Sequence, residues 1–302
     1  MLENWLSSLP GAAAQGIIWG IMAIGVYITY KILDFADLTV DGSICTGGAV
    51  CAVLVGAGVD IWLAMLIAML AGMLTGFVTG ILHTVLGIPP ILSGILTQLM
   101  LWSINMKIMG GAMFALSARN SQVLISSMQS TLWQTIATLV GFVAVIIAIL
   151  YWFFGTERGA SIRATGNNPA MSRAQGINIE VNKILALVIS NGMVALAGAL
   201  LAQYNGQANI NAGRGAIVTG LAAVIIGDVL VSKLSQNFAV RLTGVVLGGI
   251  VYFFVYQTII FLGLDAELLK MFSAIVVAIF LAIPYLKEKY FHKAKKRRKK
   301  DA

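Results

Sequence analysis

Charge is scarce in this chain of 302 residues, where charged residues make up 11% and hydrophobic residues 59%. The mean hydropathy is +0.91, and water does not solvate a chain of that composition. A soluble fold is therefore excluded. Because a membrane-spanning helix needs about 20 residues, the apolar part of the chain is long enough for about eight to ten crossings. We predict an all-α, polytopic integral membrane protein.

The residue sets of an enzyme are also missing. No GxxxxGK[ST] loop occurs, so the chain has no recognisable phosphate-binding loop, and any ATP must be hydrolysed by another polypeptide. His83, His292, Cys45 and Cys51 are the only histidines and cysteines, and they form no plausible metal-binding set. We expect no catalytic residue, no metal and no cofactor in this chain, and we interpret both cysteines as free thiols.

Positive charge is concentrated at the end of the chain. The net charge is +8, and nine Lys or Arg residues fall in the segment 287–302. The basic balance thus describes a tail, and it does not indicate a nucleic-acid-binding body. We predict that this tail is cytoplasmic and attracts anionic membrane lipids, by about 1 kcal/mol per basic residue. A specific partner site in the tail is the alternative.

Apolar segments bounded by polar, glycine or proline residues predict the crossings. The best count is nine, at 11–30, 43–58, 61–82, 88–105, 132–154, 183–204, 215–231, 239–263 and 268–286. With the N-terminus outside and the C-terminus inside, sixteen of the 20 Lys and Arg residues fall on the cytoplasmic side, as the positive-inside rule favours. The residues 1–286 then form one transmembrane domain. Glycines at four-residue spacing, such as Gly72, Gly76 and Gly80, favour close helix packing within it.

The longest cytoplasmic loop, 155–182, carries the signals of a short helix. Asn168 suits a helix N-cap, Pro169 suits the first helical position, and Gly176 suits a left-handed C-terminal stop. These residues predict a helix over 169–175, which is too short to be stable alone and must be held by packing. The loop also contains basic residues and two small residues that would fit a groove on a cytoplasmic partner: Arg158, Arg163, Arg173, Ala170 and Ala174. An ordinary positively charged loop is the alternative.

Two windows of the chain resemble each other at the same spacing. The matching pairs are Gly42 with Gly215, Ile44 with Ile217, Thr46 with Thr219, Gly47 with Gly220 and Ala49 with Ala222. The predicted crossings run in opposite directions there, as an inverted repeat requires, although chance similarity is the alternative. If the repeat holds, the polar segments before the two windows are equivalent elements on opposite sides of a pore.

These two polar segments are the candidate substrate pathway. We hypothesise that they are broken-helix or re-entrant stretches, because irregular backbone at membrane depth persists only beside protein or water. The alternative is two solvated loops. The candidate residues are Asp34, Asp37, Thr39, Asp41 and Thr46 in the first segment and Asn205, Gln207, Asn209 and Asn211 in the second.

The cytoplasmic loop also carries a family resemblance. Its run of Arg163, Ala164, Asn168, Pro169, Ala170, Ala174, Gly176 and Ile177 resembles the coupling loop of ABC importer permeases of the branched-chain amino acid and ribose superfamily. The order of elements is similar from about residue 11 to 286. The segment DFADLTVDGS most resembles a subgroup paired with lipoprotein binding proteins, some of them for aromatic amino acids. The pair Gly166 and Asn167 before the cap departs from the family pattern.

The resemblance implies partners and a role. A second copy would complete a homodimeric pore in the bacterial plasma membrane, two cytoplasmic ATPase subunits would bind ATP and Mg²⁺, and an extracytoplasmic binding protein would deliver the solute. The residues implied in ATPase coupling are Arg158, Arg163, Asn168, Pro169, Ala170, Ala174 and Gly176. The expected function is import of an amino acid, aromatic ones first, by alternating access.

Two other functions stay open from the sequence. The first is an ABC importer for a sugar or a nucleoside. The second is an ion-coupled secondary transporter, which needs ionisable residues at the centre of the membrane, and the predicted spans place almost none there.

Overall fold

The computed structural model describes residues 2–116, 123–125, 132–231 and 237–261, together with the single positions 271, 274, 275, 278 and 282. Within these residues the chain forms ten α-helices and two short strands. The helices are α1 Leu2–Tyr27, α2 Val40–Gly56, α3 Ile61–Thr84, α4 Pro90–Met109, α5 Leu132–Gly155, α6 Glu157–Asn167, α7 Pro169–Ala174, α8 Ile179–Asn205, α9 Ala216–Val231 and α10 Phe238–Phe261. A π-helical stretch, Ile28–Ile32, extends α1.

Local side-chain chemistry explains where several helices begin and end. Asp60 caps α3 by accepting hydrogen bonds from the backbone N–H groups of Trp62 and Leu63, at 2.9 and 3.3 Å. Asn178 caps α8 in the same way, through the N–H groups of its second and third residues. Helix α4 starts with Pro90, and α8 stops at Gly206, whose φ of 67° is left-handed.

Eight of the nine predicted segments coincide with a helix, α1 to α5 and α8 to α10. Six of these helices are long and apolar enough to cross a membrane, which shows a polytopic helical membrane protein. Helices α2 and α9, with 17 and 16 residues, are shorter than the crossings predicted for them. The count of nine and the N-out orientation stay predictions. Most of the ninth segment and the whole basic tail lie outside the described residues.

A short β-ribbon is the one departure from an all-helical chain among these residues. Strand β1, Met113–Ala115, pairs antiparallel with strand β2, Gln207–Asn209, so that Phe114 lies opposite Ala208. The ribbon ties the connection after α4 to the connection after α8. Three-residue strands carry almost no periodicity, so the sequence offered no sign of this pairing.

Helix α8 is the centre of the bundle, and α1 and α3 run antiparallel to it. The Tyr204 hydroxyl donates to the Gly11 carbonyl at 3.4 Å near one end, and Ser190 donates to the Gly25 carbonyl at 2.7 Å further along. The glycines of α3 that recur every four residues all face α8. There a Cβ would meet Asn191 or Ala195 at Gly72, Leu187 at Gly76 and Ile184 at Gly80. The predicted packing of the glycine stripe within the chain is confirmed.

The two short helices run in opposite directions. Helix α2 is parallel to α8, since Gly47 packs on Ala195 and Gly48 packs on Gly198. Helix α9 is parallel to α1, because its Gly220 packs on Met22 and Val26 and its Asp228 pairs with Lys31 at 3.2 Å. Because α1 and α8 are antiparallel, α2 and α9 are antiparallel too. This geometry supports the inverted repeat proposed from the sequence.

Candidate functional site

The short helix predicted in the 155–182 loop is present as α7. The Asn168 side chain accepts from the N–H of Met171 at 3.0 Å, Pro169 is the first helical residue, and Gly176 has a φ of 80°. The helix ends at Ala174, one residue before the predicted end, and Gln175 caps it. Local signals were therefore sufficient to locate this element.

Helix α7 projects from the bundle. Ser172 is its only buried residue, while Pro169, Ala170, Arg173 and Ala174 are exposed and Met171 is 50% exposed. Arg158 is exposed as well, on the preceding helix. A short, capped and exposed helix with small residues is a shape that fits into a groove on another protein.

A second helix in this loop, α6, was missed from the sequence. It spans Glu157–Asn167 and starts at Thr156, whose side chain accepts from the N–H of Gly159 at 3.4 Å. Thr156 followed by Glu157 is an N-cap signal that could have indicated it. The position of Gly166 in α6 also explains the departure from the family pattern, because a Cβ there would overlap the carbonyl of Ile32.

Side-chain contacts fix α6 to the membrane helices. Asn182 of α8 donates to Ser161 at 2.7 Å and to Thr165 at 2.9 Å. Arg163 donates to the Phe154 carbonyl at the end of α5. Together with the contact between Gly166 and Ile32, these bonds join the loop to α5, α8 and the end of α1. A force on α7 is thus transmitted to the transmembrane helices.

A basic cavity of about 800 Å³ opens between the end of α1, α6 and α10. It is lined by Lys31, Arg163 and Arg241, with Asp34 at its edge. Asp34 is exposed and has a φ of 55°, which places it at a sharp turn after the π-helical stretch. The first predicted pathway residue therefore belongs to the same end of the bundle as the coupling loop.

Asp37, in contrast, is buried in the bundle, with 1% of its surface exposed. Its carboxylate accepts from Asn191 Nδ2 at 2.7 Å and from the backbone N–H of Thr39 at 2.9 Å. Asn191 lies near the middle of the 27-residue helix α8. The segment 33–39 is hence irregular backbone enclosed by protein halfway along a membrane helix, as the re-entrant hypothesis requires for the first polar segment.

Further buried hydroxyl groups extend this polar network. Ser43 donates to Asn191 Oδ1 at 2.6 Å and lies 2.7 Å from the hydroxyl of Thr75. Thr39 lies 2.7 Å from the hydroxyl of Thr79. The sequence analysis missed Asn191, Ser43, Thr75 and Thr79, although a single asparagine inside an apolar span was a usable signal.

The expectation that mid-membrane ionisable residues are nearly absent was wrong for Asp37. Its segment was interpreted as a connection at the end of α1, whereas the chain turns back into the bundle there. The carboxylate has two hydrogen-bond donors, and those bonds hold the re-entrant segment on α8.

Asp41 joins the two polar segments. Its Oδ2 accepts from the N–H of Gly215 at 3.0 Å and its Oδ1 accepts from the N–H of Ile217 at 2.8 Å. A carboxylate of α2 therefore caps the start of α9, where the helix dipole favours negative charge. The expectation that the two segments lie on opposite sides of a pore was wrong, because the starts of α2 and α9 are in direct contact.

The second polar segment lies at the end of α8. Asn205, Gln207 and Asn211 are exposed, and Asn209 is partly buried, with its side chain accepting from the N–H of Asn211 at 2.8 Å. Gln207 and Asn209 belong to β2. Thr46 is buried, but its hydroxyl donates to the carbonyl of Gly42 in its own helix, at 3.0 Å. The structure brings Asp37, Thr39 and Thr46 into the bundle and leaves these amides at its surface.

Comparison with known proteins gives a consistent family. Residues 8–283 match the family described as the branched-chain amino acid transport system permease component. The chain is 39% identical, over 280 residues, to the tyrosine transport system permease protein of Clostridioides difficile, covering 92% of this chain and 91% of that protein. That relative aligns over nearly its whole length.

Sugar permeases are more distant relatives. The fructose import permease protein FruF of Bifidobacterium longum is 27% identical over 251 residues, which are 80% of this chain and 68% of that protein. The ribose import permease protein RbsC of Escherichia coli is 26% identical over 144 residues, which cover 48% of this chain and 44% of that protein. The shared features of these relatives are those of a permease subunit.

Proposed function

Because the chain belongs to the family of branched-chain amino acid transport system permease components, we propose that it imports an aromatic amino acid, with tyrosine as its cargo. It is an ABC transporter permease component and a multi-pass plasma membrane protein, and it is not itself an ATPase. The observation that supports the cargo is the 39% identity to a tyrosine permease, over 92% of this chain.

In this proposal, α7 is the element that docks on the ATPase. Its exposed residues enter a groove of a cytoplasmic ATPase subunit, which binds ATP and Mg²⁺. The exposed Arg158 and Arg173 and the partly buried Arg163 surround α7 with positive charge. Asn168 and Gly176 set the start and the end of the helix, and Pro169, Ala170 and Ala174 supply its contact surface.

Movement of the loop then reaches the centre of the bundle. Helix α6 contacts Ile32 through Gly166, and the chain continues from Ile32 into the segment that holds Asp37. A displacement of α6 is thereby passed to the start of α2. ATP-driven closure of two ATPase subunits on two copies of this chain would open the pathway alternately to each side. An extracytoplasmic binding lipoprotein would deliver the amino acid.

A sugar or nucleoside is the second candidate cargo, and the fructose and ribose permeases among the relatives favour it. Those matches are weaker in identity, and the ribose permease covers less than half of this chain. An amino acid is therefore the preferred cargo.

Uptake by the complete importer tests the proposal. The chain is reconstituted in liposomes with its ATPase and its binding protein, and ATP-dependent uptake of radiolabelled tyrosine, ribose and uridine is compared. We expect tyrosine uptake that requires ATP and is inhibited by excess phenylalanine but not by ribose. Uptake of ribose or uridine without uptake of tyrosine would overturn the amino acid assignment.

A further inference from the structure

A cavity of about 300 Å³ lies between the start of α2, the face of α4 and the loop before α9. Its volume is at the lower end of the range of about 300–1,000 Å³ that small-molecule sites occupy. The lining combines two residues of opposite charge with polar and apolar side chains: Asp41, Arg214, Gln98, Asn105, Trp102 and Ile210.

The Asp41 carboxylate is held in place but retains capacity to bind. Each of its oxygens accepts one backbone N–H, from Gly215 or Ile217. A carboxylate oxygen has two acceptor sites, so each oxygen keeps one for a further donor. A rigid carboxylate of this kind is suited to accept hydrogen bonds from an ammonium group.

Arg214 supplies the opposite charge. It is exposed, and its guanidinium makes no hydrogen bond or ion pair with any residue in the described part of the chain. Only its backbone N–H is used, in a bond to the Asn211 carbonyl at 3.2 Å. A guanidinium presents donors in a planar fork that matches a carboxylate.

Asn105 provides an independent sign that a ligand is missing. It is 1% exposed, and its Nδ2 donates to the Gly42 carbonyl at 3.4 Å. Its Oδ1 is buried and has no partner among the described residues. Buried polar atoms in native proteins are almost always paired, so an orphaned acceptor beside a cavity indicates where a ligand donates a hydrogen bond.

From these features we infer that the cavity binds the zwitterion of an α-amino acid on the translocation pathway. Asp41 and Asn105 receive the ammonium group, Arg214 receives the carboxylate, and Trp102 packs against an aromatic side chain. A sugar or nucleoside carries neither charge and would leave both ionic residues unmatched. The inference rests on the proposed function, because it assigns a site to that cargo.

Ligand binding without the binding protein tests the inference. The permease–ATPase complex in nanodiscs is titrated by calorimetry with tyrosine, with tyramine, which lacks the carboxylate, and with 3-(4-hydroxyphenyl)propionate, which lacks the ammonium group. We expect tyrosine to bind at least about tenfold more tightly than either analogue. Absence of tyrosine binding, or equal binding of all three, would overturn the inference.

Arg214→Gln tests the carboxylate site. We expect the variant to bind tyrosine about tenfold more weakly and to bind tyramine as the wild type does, so that the preference disappears. Lys107→Gln is the matched control, because it removes an exposed positive charge from α4 outside the cavity. If Arg214→Gln keeps the full preference for tyrosine over tyramine, the assigned role of Arg214 is wrong.

Trp102→Leu tests the aromatic contact, with Trp133→Leu as its control. Trp102 is 44% exposed and lines the cavity, whereas Trp133 is 75% exposed on α5 and does not. We expect only the first variant to weaken tyrosine binding, while alanine binding stays unchanged. Equal effects of the two variants would overturn the contact.

The outcome is separable from the proposed function. If the complete importer takes up tyrosine but Arg214→Gln and Trp102→Leu behave as wild type in binding, the cargo stands and the assigned site fails. If the complete importer takes up no tyrosine, the proposed function itself fails.

Discussion

Helix α7 and the junction of α2 with α9 are both short-range in appearance and opposite in construction. Helix α7 is capped by Asn168 and stopped by Gly176, both adjacent to it in sequence, and only one of its residues is buried. The junction is made by Asp41, whose hydrogen-bond donors lie 174 and 176 positions along the chain. Local chemistry forms the first region, and the folded bundle forms the second.

The difference bears on how each region can work. An exposed helix that depends on local bonds can be altered without loss of the bundle, which suits a docking element. The junction and the neighbouring Asp37 network hold irregular backbone inside the protein, so a change there affects the fold and the pathway together.

The largest expected effect is that of Gly47→Val, which tests whether α2 must lie against α8. A Cβ at Gly47 would overlap the backbone carbonyl of Ala195, and backbone cannot move aside as a flexible side chain can. We expect destabilisation of about 3 kcal/mol or more and little folded protein on size-exclusion chromatography. Gly141→Val is the control, since a Cβ at that position would meet no heavy atom within 4 Å. Equal recovery of both variants would contradict the packing.

Asp37→Ala should have the next largest effect. It leaves Asn191 and the N–H of Thr39 without their buried acceptor, which costs about 1–3 kcal/mol. Asp60→Ala removes an exposed helix cap that also accepts two N–H groups, and its expected cost is about 1 kcal/mol. Unfolding in mild detergent titrated with dodecyl sulfate gives both values. A smaller loss for Asp37→Ala than for Asp60→Ala would remove the network from the account.

Asn168→Ala should act locally. Loss of the bond to the N–H of Met171 is expected to weaken α7 by about 1 kcal/mol, while the midpoint of global unfolding stays unchanged. Amide hydrogen exchange in 169–174 should become faster. Asn178→Ala, the same change at the cap of α8, is the comparison, because packing along 27 residues holds that helix. Faster exchange throughout α8 in the Asn168 variant would show that the loop is not separable.

The smallest expected effect is that of the ion pair between Lys31 and Asp228. The atoms are 3.2 Å apart, but the side chains are 45% and 33% exposed. A double-mutant cycle with both alanine variants should give a coupling energy of about 0.2–1 kcal/mol, decreasing with added salt. A value above about 2 kcal/mol would mean that this end of the bundle is as enclosed as the Asp37 network.

The elements that the sequence predicted are those whose signals are local. Hydrophobic length located eight helices, and the triad of Asn168, Pro169 and Gly176 located α7. The contact between Asp41 and the start of α9 has no local signature, because it depends on how two distant helices meet. The role of Asp37 was misjudged for the same reason: polarity in a sequence does not distinguish a solvated loop from a segment buried among other helices.

The most direct test of the central claim compares Ala170→Asp in α7 with Ala160→Asp in α6. Both alanines are exposed in the same loop, and both variants gain the same charge. Binding of the purified ATPase and ATP-driven tyrosine uptake are measured for each variant in the same liposomes. We predict that Ala170→Asp loses both and that Ala160→Asp keeps both. Normal ATPase binding and uptake in Ala170→Asp would contradict the assignment of α7 as the element that couples ATP hydrolysis to transport.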